Sequence, residues 1–338
     1  MAKIRNFVVA DALASWFPNG IDQVSDRLQG GDLNDVYRVD VDDRSYALRL
    51  YSEASNKETV RSEHSIVIPL AERILEVYPP ITTTNGENLV EIHNRVATLS
   101  PFIHGKRPDR RNPKHRKAGA ILLGRLHSEA KNLGLVRRHP RFPAVADIDW
   151  DNNHQWTWPS IMDYLANAPN SDVGGVDRGW MRAKLEEALA EIPAAVVKLA
   201  TRANLARQQI HGDFYPGNML SIGSRIVGLL DWEETIFEWR VWEVAQAIAG
   251  FCKLPENRMD QSAAIDFIGH YERYASPLTD KELGAIVPLI SAGILWGTLY
   301  DFGEFQRSVN RRHGIPTDWP YHAAEIRLMN NLKEVRFR

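Results

Sequence analysis

The pattern of apolar and polar positions changes character near residue 105. Residues 21–51 carry short strand-like runs, Arg27-Leu28-Gln29, Val36-Tyr37-Arg38-Val39 and Tyr46-Ala47-Leu48-Arg49-Leu50-Tyr51. Gly30-Gly31-Asp32 and Asp42-Asp43-Arg44 separate them, which predicts an antiparallel meander. Between 57 and 77, Val60, Ile66, Val67, Leu70, Ile74, Leu75 and Val77 recur at helical spacing, with Pro69 expected to kink or divide the helix. Ile81-Thr82-Thr83-Thr84 faces Asn88-Leu89-Val90-Glu91-Ile92 across Asn85-Gly86, a hairpin signal, and residues 95–102 supply another strand. The first hundred residues therefore read as sheet with one helix packed on it. Beyond Gly105, residues 113–132, 178–206, 240–252, 261–275 and 280–302 read as helices, without internal repeats. The expected fold is α+β in two lobes: a small β-rich lobe over 1–100, a connector at 101–105 and a larger α-helical lobe over 106–338.

Composition narrows the function classes. The 41 basic and 43 acidic side chains, net −2, are spread along 338 residues, which gives no electrostatic reason to expect nucleic acid or a membrane surface as partner. The one basic cluster, Lys106-Arg107 through Arg116-Lys117, reads as a solvated loop and helix start. Cys252 stands alone, so neither an intrachain disulfide nor a thiolate zinc site is available, and a reducing, cytoplasmic location is expected. The N-terminal stretch has an amphipathic pattern broken by Asp11 and lacks the apolar core of a signal peptide. The apolar stretch 285–300, interrupted by Pro288, Gly293 and Gly297, reads as a buried helix rather than a membrane span.

The chemistry concentrates at His211-Gly212-Asp213-Phe214-Tyr215-Pro216-Gly217-Asn218. After Asn218, Met219-Leu220-Ser221-Ile222 and Arg225-Ile226-Val227-Gly228-Leu229-Leu230 predict a hairpin ending on Asp231, which holds an amide and a carboxylate on neighbouring backbones. Phosphoryl transfer needs a divalent cation on the nucleotide phosphates, and Asn218 and Asp231 supply the oxygen ligands that Mg²⁺ prefers. Asp213 is placed to orient or deprotonate an attacking hydroxyl, and His211 to brace the loop by hydrogen bonds. A turn rich in Asp, Pro, Gly and Asn is the bland alternative. A serine hydrolase is disfavoured because no Gly-x-Ser-x-Gly elbow occurs, and a metal hydrolase because no second histidine is near.

With these residues in view, the chain resembles the aminoglycoside phosphotransferase and homoserine kinase superfamily, whose fold is that of protein kinases. The resemblance covers nearly the whole chain and is most specific over 211–246, including Gly228-Leu229-Leu230-Asp231-Trp232-Glu233. Weaker echoes are Gly124-Arg125-Leu126-His127 and Phe102-Ile103-His104-Gly105. The resemblance implies ATP and Mg²⁺ as cofactors, with Gly30, Gly31 and Asn34 in the turn over the triphosphate. It implies that Arg49 stands where the family has a lysine on the third strand, with Glu63 on the following helix to pair with it. It also implies an adenine-binding hinge that offers the Pro101 carbonyl and the Ile103 N–H.

The run from Asp231 into the helix at Val241 is too short for the platform on which protein kinases dock a peptide, so a small-molecule alcohol is the expected acceptor. Homoserine, choline or an amino sugar would fit. Glu233, Glu234 and Glu238, beside Trp232 and Trp239, suggest an acidic rim for an amine, whereas Glu243 reads as a brace of its helix. Two other readings stay open: a catalytically silent nucleotide-binding regulator, suggested by Arg49, and a serine/threonine protein kinase.

Overall fold

A computed structural model of the chain describes residues 2–28, 34–53, 55–139, 143–148, 152–153, 156–167, 175–310 and 319–337. Strands β1 (Gln23–Arg27), β2 (Asp35–Val41) and β3 (Arg44–Leu50) form the expected antiparallel meander. Asp42 and Asp43 join β2 to β3 with left-handed backbone, φ 48° and 60°, as a two-residue hairpin turn requires.

The second hairpin differs from the expectation. Its strands are β4 (Val90–Ile92) and β5 (Arg95–Pro101), and the turn is His93-Asn94, at φ 46° and 62°, rather than Asn85-Gly86. The Ile81 N–H donates to the Leu99 carbonyl at 2.7 Å, so this segment docks on β5 at a point instead of pairing with residues 88–92. The five-stranded sheet runs β1-β2-β3-β5-β4.

Two helices flank the sheet, not one. Helix α1 (Ala2–Leu13) lays Val9, Ala12 and Leu13 on Val39, Leu48, Leu50, Ala97 and Leu99. Asp11, which breaks its apolar pattern, faces outward to His93 at 3.0 Å. Helix α2 (Lys57–Ala71) starts where the Asn56 side chain accepts from the Thr59 N–H, satisfying a donor that the first turn leaves open. Pro69 lies within its last turn and does not divide it. Ile66, Val67 and Leu70 of α2, with Ile74 and Val77, pack into the core of the larger lobe rather than into that of the sheet.

The larger lobe contains helices α3 (Pro113–Asn132), α4 (Trp158–Asn167), α5 (Arg178–Arg202), α6 (Arg240–Phe251), α7 (Gln261–Tyr271), α8 (Asp280–Asn310) and α9 (Trp319–Asn331). Short strands connect them: β6 (Asn152–Asn153), β7 (Trp156–Thr157), β8 (Arg207–Ile210), β9 (Met219–Ile222), β10 (Arg225–Leu229) and β11 (Ile236–Trp239). Helix α6 is central, with Val241, Val244, Ala245, Ala247 and Ile248 fully enclosed. Helix α8 continues through Pro288 and extends well beyond 285–300. Among the described residues its segment Asp280–Asp301 alone is long and apolar enough to cross a membrane. Its Ala285, Ile286, Leu289, Ile290 and Leu295 are enclosed in the protein core.

Two features position the site. The hairpin β9–β10 tucks under the connector, where Lys106 and Ser221 exchange backbone hydrogen bonds of 3.0 and 2.7 Å. Strand β8 pairs with β11, so the loop leaving β8 and the loop entering β11 emerge side by side.

Candidate active site

The loop leaving β8 is built around a buried imidazole. His211 Nε2 donates to the Leu230 carbonyl at 2.9 Å, and its Nδ1 accepts from the Asp213 N–H at 3.2 Å. Desolvation lowers the pKa of this ring, which favours the neutral form with its proton on Nε2. The imidazole thus ties the 211–218 loop to the strand end that carries Asp231. Gly212 follows at φ 92°, and a Cβ there would lie 2.1 Å from the Glu234 carbonyl oxygen, so only glycine allows the two loops to touch.

Glu243, on α6, fastens the same loop from beneath. Its carboxylate accepts from the Gly212 N–H at 2.6 Å, the His211 N–H at 3.2 Å and His127 Nε2 at 2.8 Å. Burial acts to raise its pKa, but the hydrogen bonds from His127 and from the Gly212 N–H outweigh burial and leave the group below its ordinary value. The carboxylate is therefore a brace inside the protein.

Asp213, Asn218 and Asp231 meet at one end of a cleft. The Asn218 amide nitrogen donates to Asp213 Oδ2 at 2.5 Å and to the Asp213 carbonyl at 3.1 Å, which leaves the amide oxygen to serve a cation. Burial, with the Asp231 charge nearby, pushes the Asp213 carboxyl up to about 6 against the opposing hydrogen bond from Asn218. Asp231 holds left-handed backbone, φ 63°, an uncommon conformation for a residue other than glycine. Desolvation acts to raise its pKa, but the Arg49 charge and hydrogen bond hold it below the ordinary value.

Arg49, on β3, does not pair with Glu63 as expected. Its Nη2 lies 2.6 Å from Asp231 Oδ1 and 2.5 Å from Glu233 Oε1. Glu63 instead accepts from the Tyr51 hydroxyl at 3.0 Å, and the Arg49 guanidinium stacks over the Tyr51 ring at 5.0 Å from its centroid. The link between Arg49 and Glu63 therefore passes through Tyr51. Glu63 is a buried residue of α2, not an exposed one, and burial pushes its carboxyl up to about 7, with Glu233 adding to the shift and Arg49 opposing it.

The cleft has a volume of about 650 Å³. Val36, Ala47, Leu220 and Leu229 line an apolar end, beside Pro101 and Ile103 of the connector. Gly228 lies beneath Ile103, where a Cβ would come within 2.9 Å of the isoleucine side chain. Asn34 lines the polar end, and Gly30 and Gly31, expected over the triphosphate, lie outside the described residues. An apolar slot leading to an arginine and a carboxylate–amide pair suits a purine nucleotide with its metal-bound phosphates. The Arg49 Nε–H, buried without an acceptor, fits a phosphate oxygen. Among the described residues no group of three or more His, Cys, Asp or Glu side chains is arranged to hold a metal.

The expected acidic rim loses Glu238 and keeps two residues at the cleft. Glu234 lines the cleft and is exposed. Glu233 lines the cleft as well, and there its carboxylate accepts from Arg49 and from the Asn34 amide. Glu238 is buried because β11 directs it towards the interior, where it accepts from the Val145 and Trp239 N–H groups at 2.5 and 2.7 Å. Glu233 and Glu234 thus both border the cleft, and Glu238 does not.

Tyr51 and Arg137 also belong to this neighbourhood, and neither carried a signal of its own in the sequence. Tyr51 ends an ordinary strand run, and Arg137 is one of two adjacent arginines that composition alone cannot distinguish.

Residues 26–276 match the phosphotransferase enzyme family. A homoserine kinase of Nitrobacter winogradskyi is 24% identical over 256 residues, covering 76% of this chain but 66% of that protein, just under two thirds of its length. An amicoumacin kinase solved with AMP-PNP and Ca²⁺ superposes with TM-score 0.67 at 15% identity, covering 99% of this chain and 96% of that one. A microcompartment-associated aminopropanol kinase superposes with TM-score 0.69 at 15% identity, covering 97% of both. These likenesses establish the fold as the protein-kinase-like one of such phosphotransferases, α+β with an antiparallel-sheet lobe and a helical lobe. The matched span exceeds half of the chain, and the protein belongs to the phosphotransferase enzyme family.

Proposed function

We propose that this protein is a magnesium-dependent kinase that transfers the γ-phosphoryl group of ATP to the hydroxyl of a small, amine-bearing molecule. The observation that carries this reading is the convergence of Asp213, Asn218 and Asp231 at one end of a cleft whose other end is apolar. Val36, Ala47, Leu220 and Leu229 would flank the adenine, with Pro101 and Ile103 at its edge. Arg49 and Asn34 would hold phosphate oxygens, and Asn218 and Asp231 the cation. The chemistry that a Mg²⁺ ion held by Asn218 and Asp231 would supply is neutralisation of the charge that develops on the transferring phosphoryl group.

The proton transfer falls to Asp213. Its carboxyl, at about 6, is ionised at neutral pH yet more basic than an ordinary aspartate. It would take the hydroxyl proton as the acceptor oxygen bonds to the γ-phosphorus and the bond from that phosphorus to the bridging oxygen breaks. Between Asp231 and Arg240 the chain is taken up by a turn and β11, which favours a small acceptor over a peptide. Homoserine and aminopropanol, named for two relatives, are both amino alcohols, and Glu234 supplies a carboxylate for an ammonium group.

A panel of amino alcohols and amino sugars in an ADP-release assay tests the reading, with Asp213→Ala expected to abolish turnover while still binding nucleotide. Full activity of that variant would remove Asp213 from the mechanism. The clasp of Arg49 on Asp231 favours a second reading, a nucleotide-binding protein without turnover. The panel separates the two, since a protein without turnover would release no ADP whichever acceptor is supplied.

A further inference from the structure

Arg137, in the segment after α3, is 3% exposed and fixed by its own backbone. Its N–H donates to Gln209 Oε1 at 2.7 Å, and its carbonyl accepts from the Phe237 N–H at 2.7 Å, which anchors it to the β8–β11 pair. The side chain is thereby aimed between two elements. Nε donates to Ser62 Oγ of α2 at 3.0 Å, while Nη1 donates to the carbonyls of Glu233 and Thr235 at 3.0 and 2.7 Å. One guanidinium thus joins α2 to the loop that follows Asp231.

The contacts on either side complete a circuit. Glu63 follows Ser62 on α2 and accepts from the Tyr51 hydroxyl; the Tyr51 ring carries the Arg49 guanidinium. Arg49 binds the carboxylate of Glu233, whose own carbonyl returns to Arg137. We propose that Arg137 is a positioning residue that closes this ring, setting the phosphate-facing Arg49 of the small lobe in register with the metal-binding loop of the large lobe. It touches no reacting atom. The planar fork is essential, because a lysine offers a point charge and cannot span Ser62 and two carbonyls from one fixed direction. The proposal rests on the kinase reading for its purpose, though not for its physical test.

Two variants, Ser62→Ala and Arg137→Lys, and their combination test it. One readout is calorimetric binding of a non-hydrolysable ATP analogue with Mg²⁺. The other is amide hydrogen exchange over α2 in the nucleotide-free protein. Each single variant is expected to weaken binding about three- to ten-fold and to speed exchange in α2. The double variant should be no worse than Arg137→Lys alone, because both break the same ring. Wild-type affinity and wild-type α2 exchange in Ser62→Ala, or strictly additive losses in the pair, would overturn the proposal. If the unmodified protein bound no nucleotide, the kinase reading would fail, and the exchange measurements would still decide the latch.

Discussion

The guanidinium of Arg49 reaches across the cleft to Asp231, Nη2 to Oδ1 at 2.6 Å, so a residue of the small lobe supplies the counter-charge for the carboxylate expected to bind metal. Entry of a metal-bound triphosphate would give each a new partner: phosphate for Arg49, the cation for Asp231. Arg49→Ala is expected to raise KM for ATP about ten- to a hundred-fold, since a hydrogen bond to a charged group is worth roughly 1.5–3 kcal/mol. Arg49→Lys should fall between, keeping the charge without the fork. Steady-state kinetics with varied ATP measure both, and an unchanged KM in the alanine variant would refute a phosphate-binding role.

Glu63 gives stability a pH dependence. Its folded-state pKa is raised from 4.5 to about 7, chiefly by burial. Below pH 4.5 the proton is held in both folded and unfolded chains, and this group costs nothing. As pH rises from 4.5 towards 7, the unfolded chain releases the proton and the folded one retains it, so stability is lost across that window and then levels off. Glu63→Gln should therefore gain on the unmodified protein by roughly 3 kcal/mol across that window. Urea midpoints at several pH values measure the gap, and a gap independent of pH would contradict the assignment.

Removal of the Glu243 carboxylate strands several buried groups at once. His127 is as deeply enclosed as its partner, at 1% exposure each, and the Gly212 N–H also depends on this acceptor. Glu243→Ala should destabilise the fold by roughly 3–5 kcal/mol, the scale for breaking a buried pair from one side. Denaturant unfolding checks this, and a loss below about 1 kcal/mol would mean that the brace is dispensable.

Gly212→Ala should act on rate. The added methyl would meet the Glu234 carbonyl oxygen at 2.1 Å, so the Asp213 loop and the metal loop must separate. A displacement of about 1 Å at such a site lowers kcat on the order of a hundred-fold. Turnover compared with circular dichroism distinguishes this from unfolding. A folded variant with normal kcat would show that the contact between the loops is irrelevant to the chemistry.

The placement of the candidate residues was legible because they sit in one short stretch. His211, Asp213, Asn218 and Asp231 occupy two loops joined by a single hairpin, and turn and strand propensities suffice to place them together. Side-chain direction was not legible. Glu233, Glu234 and Glu238 look alike along the chain, yet two border the cleft, one of them gripping Arg49, and the third is buried, because the turn and the β8–β11 pairing decide which way each points. Similarly, Asn85-Gly86 does turn the chain, with the Thr83 N–H donating to the Glu87 carbonyl at 2.8 Å, but the pairing goes no further because Ile81 docks on Leu99. The Arg49–Glu63 pair failed for a related reason: Tyr51, two residues after Arg49, intervenes, and spacing alone does not reveal an intervening ring.

Helix α2 lies on the small-lobe side of the connector in sequence, but its Ile66, Val67 and Leu70 are enclosed by the core of the large one. The two halves of this chain are therefore not separable folding units. A fragment ending at the connector would carry an apolar helical stripe with nothing to cover it, and the complementary fragment would open a gap where that stripe belongs. Moving the cut ahead of α2 fares no better, because β4 and β5 follow that helix in the chain and β5 pairs with β3 in the middle of the sheet, so either cut leaves an unfinished core on both pieces.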